Sequence, residues 1–223
     1  MREMVVLERA FDRVSGRIHE QIHNRATRRL PELVRDLIDE ALARWAANNW
    51  LTFDKAEVNC SSQLYRWMTE VCRSDSRFFM FQVSIEHVLL TPEMLNGLES
   101  VTGAARPDFR LSLRGGGVLL EAKRLTDTAK FSRPYVAEGM ARFVSSSYGA
   151  DDSLGIMVGY VQDRAGPSLH SRVNGYVKTH HLMGVGHELR LSVSDTDWEW
   201  FSSSHERKSG LPIHLNHVWI RLP

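Results

Sequence analysis

The sequence predicts an α/β (α+β) protein, with a mixed sheet of four to six strands flanked by helices and a helical hairpin at the N-terminus. Three observations predict it. Apolar residues recur at helical spacing through residues 5–71, aromatic and β-branched residues with period-two alternation take over from Arg77, and from there strand-like and helix-like stretches interleave. Interleaved elements of both kinds build one layered domain rather than two segregated ones. The 223 residues suit a single large domain with an appendage, so the expected division is a hairpin over 1–50 and a domain over 51–223.

Val6, Ala10, Val14, Ile18 and Ile22 stand at steps of four, with Leu7 and Phe11 widening the stripe, which predicts a first helix from Val5 to Ile22. The polar, arginine-rich run from Asn24 to Leu30 predicts a break. Pro31 then suits the first turn of a second helix carrying Leu33, Val34, Leu37, Ile38, Leu42 and Trp45. The two helices are expected to pair, and their apolar faces could cover the core or meet a second subunit. A third helix begins near Asn59 or Ser61, with Leu64, Trp67, Met68 and Val71 on one side.

Phe78 to Val88 reads as the first strand and Pro92 to Leu98 as a short helical piece. Asp108 to Leu113 and Val118 to Arg124 read as two strands joined by Arg114-Gly115-Gly116-Gly117, a hairpin signal. Pro134 to Tyr148 is helical by pattern, Leu154 to Val161 a buried strand, and Pro167 to Leu182 a helix begun by its proline. Two or three strands finish the chain, around Glu188–Val193, Trp198–Phe201 and His214–Leu222.

Composition excludes several classes. With 43% hydrophobic and 25% charged residues the chain is not intrinsically disordered. No apolar run approaches the roughly 18–20 residues of a membrane span, and the N-terminus lacks a secretory pattern, so the reading is cytoplasmic with no membrane partner. Cys60 and Cys72, twelve apart on one helix, are not placed to form a disulfide. His205, His214 and His217 match no zinc spacing, and His180 and His181, expected on a helix, should point to different sides. Gly184-X-Gly186 is too short for a dinucleotide loop. Trp198 and Trp200, two apart among acidic residues, could face a partner. The formal net charge of +1 makes no global case for nucleic acid, but residues 105–133 hold seven basic residues against three acidic ones. Arg106, Arg110 and Arg124 in that stretch offer a polyanion a local attraction.

The two strands of the glycine-rich hairpin carry the chemistry. Alternation sends Asp108, Arg110 and Ser112 to one face of the first strand, and Glu121 and Lys123 to one face of the second. Antiparallel neighbours joined by a short turn bring Asp108 and Glu121 to the same end of the hairpin. Two carboxylates so placed repel unless a cation lies between them. Oxygen ligands from Asp108 and Glu121, with the carbonyl of Ala122, suit Mg²⁺ better than a soft metal. Lys123 beside them can orient or deprotonate a water and offset charge in a transition state, which is the equipment of phosphodiester hydrolysis.

At these residues the sequence resembles the PD-(D/E)XK nuclease superfamily, in which Pro-Asp heads one strand and Glu-X-Lys lies on the next. Here Pro107-Asp108 is followed, after twelve residues, by Glu121-Ala122-Lys123. Pro-Asp occurs nowhere else, and the second Glu-X-Lys, Glu206-Arg207-Lys208, sits between serines and Ser209-Gly210 without a strand pattern. The resemblance implies a restriction-endonuclease-like core of helix, three strands, helix and strand over about residues 55–161. It implies an acidic residue on the first core helix, a position Glu57 matches, with Glu70 second. On the helix after the lysine strand it implies a polar contact to the site or the backbone phosphate, where this chain supplies Glu138, a departure from the commoner amide, and Arg142.

It further implies a Mg²⁺-dependent nuclease, with Mn²⁺ as substitute, acting on DNA ahead of RNA in bacterial or phage defence or DNA processing. The alternative is a nuclease-fold binding or assembly subunit of a larger complex, favoured by the near-zero net charge, which equips the chain poorly to hold DNA alone. A homodimer or a partner subunit fits either reading.

Overall fold

The computed structural model describes residues 20–223 apart from positions 87, 90, 97, 101, 103, 114–115, 163–167 and 195–196, with side chains from residue 29 onward. The chain divides into two compact units with the boundary between Asp36 and Leu37. In the first unit the described residues are helical. They belong to α1 (Glu20–Ala47), which runs through the expected break at Asn24–Leu30 and holds Pro31 in its interior. No chain reversal occurs there, and the expected first helix, Val5–Ile22, lies almost wholly outside the described residues. The physical reason is that Arg, Ala and Leu are good helix formers, so a charged run need not end a helix. Pro31 costs the helix a backbone N–H donor, and the 28-residue helix runs on through it.

In the second unit, the last turns of α1 bury Leu37, Ile38, Ala41, Leu42 and Trp45, and the Trp45 indole N–H closes the following turn on the Leu51 carbonyl (3.2 Å). The next helix, α2 (Glu57–Ser74), buries Cys60, Leu64, Trp67, Met68 and Val71 on the stripe the sequence predicts. Its start is held by Asp54, whose carboxylate accepts from the Ala56 backbone (2.6 Å) and from Asn59 (2.8 Å). Both cysteines are free thiols.

Among the described residues seven strands form one sheet, one more than the upper expectation: β1 (Gln82–Ile85), β2 (Phe109–Leu113), β3 (Gly116–Leu125), β4 (Leu154–Val161), β5 (Arg190–Ser194), β6 (Trp198–His205) and β7 (Ile213–Arg221). Their order is β1-β2-β3-β4-β7-β6-β5. The C-terminal strands join the same sheet because β7 lies parallel to β4 and brings β6 and β5 with it. β1, β2 and β3 are antiparallel neighbours, and β3 and β4 are parallel, as the crossover through a helical segment requires. Between β1 and β2 lies a one-turn helix, α3 (Pro92–Leu95), begun by the Thr91 hydroxyl accepting from Met94.

The helical crossover starts as α4 (Ala129–Pro134), widens into a π-helical turn (Tyr135–Met140) and ends as α5 (Ala141–Val144). Ser132, Val136, Met140 and Val144 are buried at steps of four, as are Tyr135, Gly139 and Phe143. Four residues of α-helix overshoot a full turn by about 40°, and the wider π turn absorbs that drift. This segment and α6 (Ser168–Thr179) pack on one face of the sheet, in a core with Leu119, Met157, Leu215 and Trp219. Gly155 permits the contact, since a Cβ there would lie 2.7 Å from the Phe143 ring.

On the other face the Ser61 hydroxyl of α2 meets the Tyr160 hydroxyl (3.1 Å). There too the indoles of Trp198 and Trp200 both donate to Asp39 of α1 (2.8 and 2.7 Å). The indole N–H groups of both tryptophans are thus satisfied within the chain. His180 and His181 lie beyond the end of α6, where helical rotation no longer separates them, and their rings sit 4.5 Å apart. No helix among the described residues is long and apolar enough to cross a membrane.

Candidate active site at the notch beside β3

β2 is shorter than β3. Its pairing ends at Phe109 opposite Leu120, so the stretch of β3 from Glu121 to Leu125 loses its antiparallel neighbour while keeping β4 on the other side. Backbone groups that pointed toward β2 need new partners there. The N–H of Ala122 donates to Asp108 Oδ2 (2.7 Å), the N–H of Arg124 donates to Glu57 Oε2 (3.1 Å), and the Ala122 carbonyl accepts from Lys123 Nζ (2.8 Å). Strand pairing thus gives way to side chains, and these are the residues singled out from sequence. Asp108, Glu121, Ala122, Lys123 and Glu57 come together, from the head of β2, the middle of β3 and the first turn of α2.

Glu121 is the buried member, with its side chain 1% exposed. Its Oε1 accepts from Lys123 Nζ (2.7 Å) and from Arg142 Nη1 (2.7 Å), while Oε2 is buried with no partner. One oxygen is served twice and the other not at all. A buried orphan of this kind costs about 1–3 kcal/mol and calls for an ion or a water. Lys123 also reaches Glu57 Oε1 (3.4 Å).

The electrostatics follow from burial and crowding. Burial, and then the Glu121 carboxylate, push Asp108 up to about 6, against the pull of the Ala122 N–H and Lys123. Burial works against the Lys123 ammonium, but Glu121, Glu57 and Asp108 together outweigh it and hold that group above the ordinary lysine value. Lys123 is therefore a protonated donor, suited to holding an oxyanion rather than to taking a proton. The Arg142 guanidinium is held above its usual range in the same way, with Glu121 outweighing burial.

Arg142 also donates to the Tyr148 hydroxyl (2.8 Å), which donates onward to the Arg106 carbonyl (3.0 Å). Burial and Glu121 raise Tyr148, so this phenol keeps its proton. Arg142 is thus committed to Glu121 and Tyr148. Of the other arginines expected to meet phosphate, Arg106 is exposed, Arg124 stacks over the Phe131 ring (4.3 Å), and Arg110 is half-buried in the field of Asp152. Glu138 is exposed on the π turn. Glu70 lies thirteen residues along α2 from Glu57, about 20 Å by helical rise, and plays no part in the notch.

A cleft of about 100 Å³ opens on the notch, lined by Glu57, Val58, Ser61, Ile85, Glu86 and Asp108. Sequence reasoning missed Glu86. It follows β1 with a left-handed φ of 50°, and its N–H donates to the Asp108 carbonyl (2.8 Å). Only the β1–β2 register places it there, although its position at the end of an alternating run is a signal in retrospect. Tyr148 was missed for the same reason, since nothing local ties residue 148 to residue 106.

The donor set at the notch fits a hard divalent cation. It offers carboxylates of Asp108 and Glu121, the orphaned Oε2 among them, and the Ala122 carbonyl, all oxygen. A cation would also relieve the repulsion that raises Asp108. Among the described residues no group of three or more His, Cys, Asp and Glu side chains is arranged to hold a metal ion, so the carbonyl would be a necessary part of this set. Comparison with protein families, with curated proteins and with solved structures found no match.

Proposed function

We propose that this chain is a Mg²⁺-dependent phosphodiester hydrolase, an endonuclease acting on DNA. The observation that carries the reading is the notch itself. Two carboxylates, a backbone carbonyl and a lysine converge where a strand loses its neighbour, and a buried carboxylate oxygen there lacks a partner. Further support comes from the order α2, β1, β2, β3, helical crossover, β4, with β3 parallel to β4. This is the order that the resemblance to PD-(D/E)XK nucleases implies.

In this reading Asp108, Glu121 and the Ala122 carbonyl hold the metal, with Mn²⁺ as substitute, and the metal supplies Lewis-acid polarisation of the phosphoryl group and of water. Lys123 donates from its ammonium to the non-bridging oxygen on which charge grows. Glu57 fixes Lys123 and the Arg124 backbone, so the ammonium is positioned from both sides. Arg142 holds Glu121 in place, and Arg106 is exposed and open to a phosphate.

The purified chain is expected to nick supercoiled plasmid in Mg²⁺ or Mn²⁺ and to stop when EDTA is added. Glu121→Gln should abolish nicking. Absence of cleavage of plasmid, single-stranded DNA and RNA in both metals, together with no calorimetric binding of Mn²⁺, would sink the proposal. A specific feature favours the second reading, in which the chain serves as an assembly subunit. β5 is an exposed edge strand presenting Leu191 and Val193 to solvent, and edges of this kind pair with other chains. Mn²⁺ binding without cleavage, with activity gained on adding a co-purifying protein, would move that reading ahead.

A further inference from the structure

Asp108 and Glu121 belong to neighbouring strands, yet the ladder between β2 and β3 stops one residue short of both, at Phe109 opposite Leu120. Strand pairing therefore does not by itself fix the separation of the two carboxylates. The segment that leads into Asp108 is held toward β1, where the Glu86 N–H donates to the Asp108 carbonyl (2.8 Å) and the Leu89 N–H to the Ala105 carbonyl (2.9 Å). Toward β3, Asp108 Oδ2 accepts from the Ala122 N–H (2.7 Å). The Arg106 carbonyl, two residues before Asp108, takes a partner of another kind.

Tyr148 donates its hydroxyl proton to that carbonyl (3.0 Å), and the same phenol oxygen accepts from Arg142 Nη1 (2.8 Å), which also donates to Glu121 Oε1 (2.7 Å). A terminal guanidinium nitrogen carries two protons, so both of its bonds are made at once. The result is a continuous chain of hydrogen bonds from the Arg106 carbonyl to the Glu121 carboxylate, outside the strand ladder. Tyr148 is itself locked. It is 1% exposed, its ring stands edge-on to Phe143 (5.4 Å between centroids), and its backbone N–H donates to the Arg142 carbonyl (3.0 Å). That last bond fixes the source of the hydroxyl to the source of the guanidinium. A buried hydroxyl engaged as both donor and acceptor cannot turn away without leaving polar groups unpaired.

We propose that Tyr148 is a positioning residue of the metal site: its hydroxyl ties the segment bearing Asp108 to the guanidinium that holds Glu121, and so sets how far apart the two carboxylates stand. The inference rests on the proposed hydrolase function, in which Asp108 and Glu121 hold the metal. Like charges side by side push each other apart in the metal-free protein. A tether that resists this push keeps the carboxylates where a small hard cation, strict in its geometry, can bridge them. Tyr148 acts only through Arg106 and Arg142, from within the core.

Calorimetric titration of the full chain with Mn²⁺ alone tests this without relying on cleavage. Tyr148→Phe keeps the ring against Phe143 and removes the tether, and it should weaken Mn²⁺ binding about tenfold, the scale on which partners of metal ligands act. Cleavage by this variant should need correspondingly more Mn²⁺ for half-maximal rate, and the rate should return toward the wild-type value when Mn²⁺ saturates. In an Arg142→Met background, where the chain is already cut, the same change should add little. Ser203→Ala is the control. It removes another buried hydroxyl, one bonded to His205 (2.7 Å) and His217 (2.9 Å) on the C-terminal strands, and should leave Mn²⁺ affinity unchanged. Wild-type affinity in Tyr148→Phe, an equal loss in Ser203→Ala, or an undiminished loss on top of Arg142→Met would each overturn the proposal. A wild type that binds Mn²⁺ but cleaves no nucleic acid would remove the hydrolase reading and leave the tether to be decided by the affinities, whereas a wild type that binds no Mn²⁺ would overturn both.

Discussion

On the proposed hydrolase function, replacing Lys123 by methionine is expected to slow phosphodiester cleavage by about 10²-fold or more while leaving Mn²⁺ affinity unchanged or slightly improved. The stem of Lys123 is packed, since its Cγ lies 3.6 Å from where a Cβ on Gly139 would stand, and methionine fills that space. What is lost is the ammonium, 2.7 Å from Glu121 Oε1 and 2.8 Å from the Ala122 carbonyl. An ammonium cannot ligate a cation, and its removal withdraws a positive charge from beside the metal site. Glu121 keeps Arg142, so the fold retains a partner for its buried carboxylate. Single-turnover cleavage and calorimetry with Mn²⁺ separate the two effects. Cleavage near the wild-type rate in the variant would falsify the role given to Lys123.

Asp108→Asn is expected to stabilise the metal-free protein at pH 8 and to do nothing at pH 4. Asp108 is raised to about 6 in the fold, against about 3.9 in an unfolded chain. A carboxyl raised by folding is tolerated while protonated, so no penalty exists below about pH 4. The penalty grows as pH climbs through the window from 4 to 6 and is complete above it. The difference between these two values amounts to on the order of 3 kcal/mol. Asparagine removes the charge and keeps an oxygen for the Ala122 N–H. The gain at pH 8 should therefore reach a few kcal/mol, less any loss in hydrogen-bond strength. Mn²⁺ should stabilise the wild type and not the variant, because binding to the folded state alone raises its stability. Urea unfolding at the two pH values, with and without Mn²⁺, reads all of this. A variant no more stable than wild type at pH 8 would show that Asp108 is not strained by its neighbours.

What was legible in the sequence was what short-range rules govern. Period-two alternation in Asp108–Leu113 and Val118–Lys123 gave the faces of β2 and β3, and the short connection gave their antiparallel register, hence the meeting of Asp108 with Glu121. The stripe through Leu64, Trp67, Met68 and Val71 gave the buried side of α2. What was not legible depended on distant partners. The arginines at 25, 28 and 29 looked like a turn but continue a helix, because local composition reports solvation and not chain direction. The pairing of Arg142 with Glu121, twenty-one positions away on β3, was likewise outside what local spacing contains. Trp198 and Trp200 found Asp39 some 160 positions away, and Ser203 meets His217 only because β6 and β7 are in register. No spacing rule along the chain contains such contacts.

The π turn between α4 and α5 ties the charge balance at Glu121 to helix length. Arg142 reaches Glu121 because the residues from Tyr135 to Met140 occupy a wider turn, which sets the angular phase of everything after it. Exchanging one side chain for another within that turn leaves the phase untouched. Adding or deleting a single residue there rotates the downstream helix by about 100°, carrying the guanidinium off the carboxylate and taking Phe143 off the sheet with it. In this segment geometry fixes the number of residues as well as the identity of those that are buried, Tyr135, Val136, Gly139 and Met140.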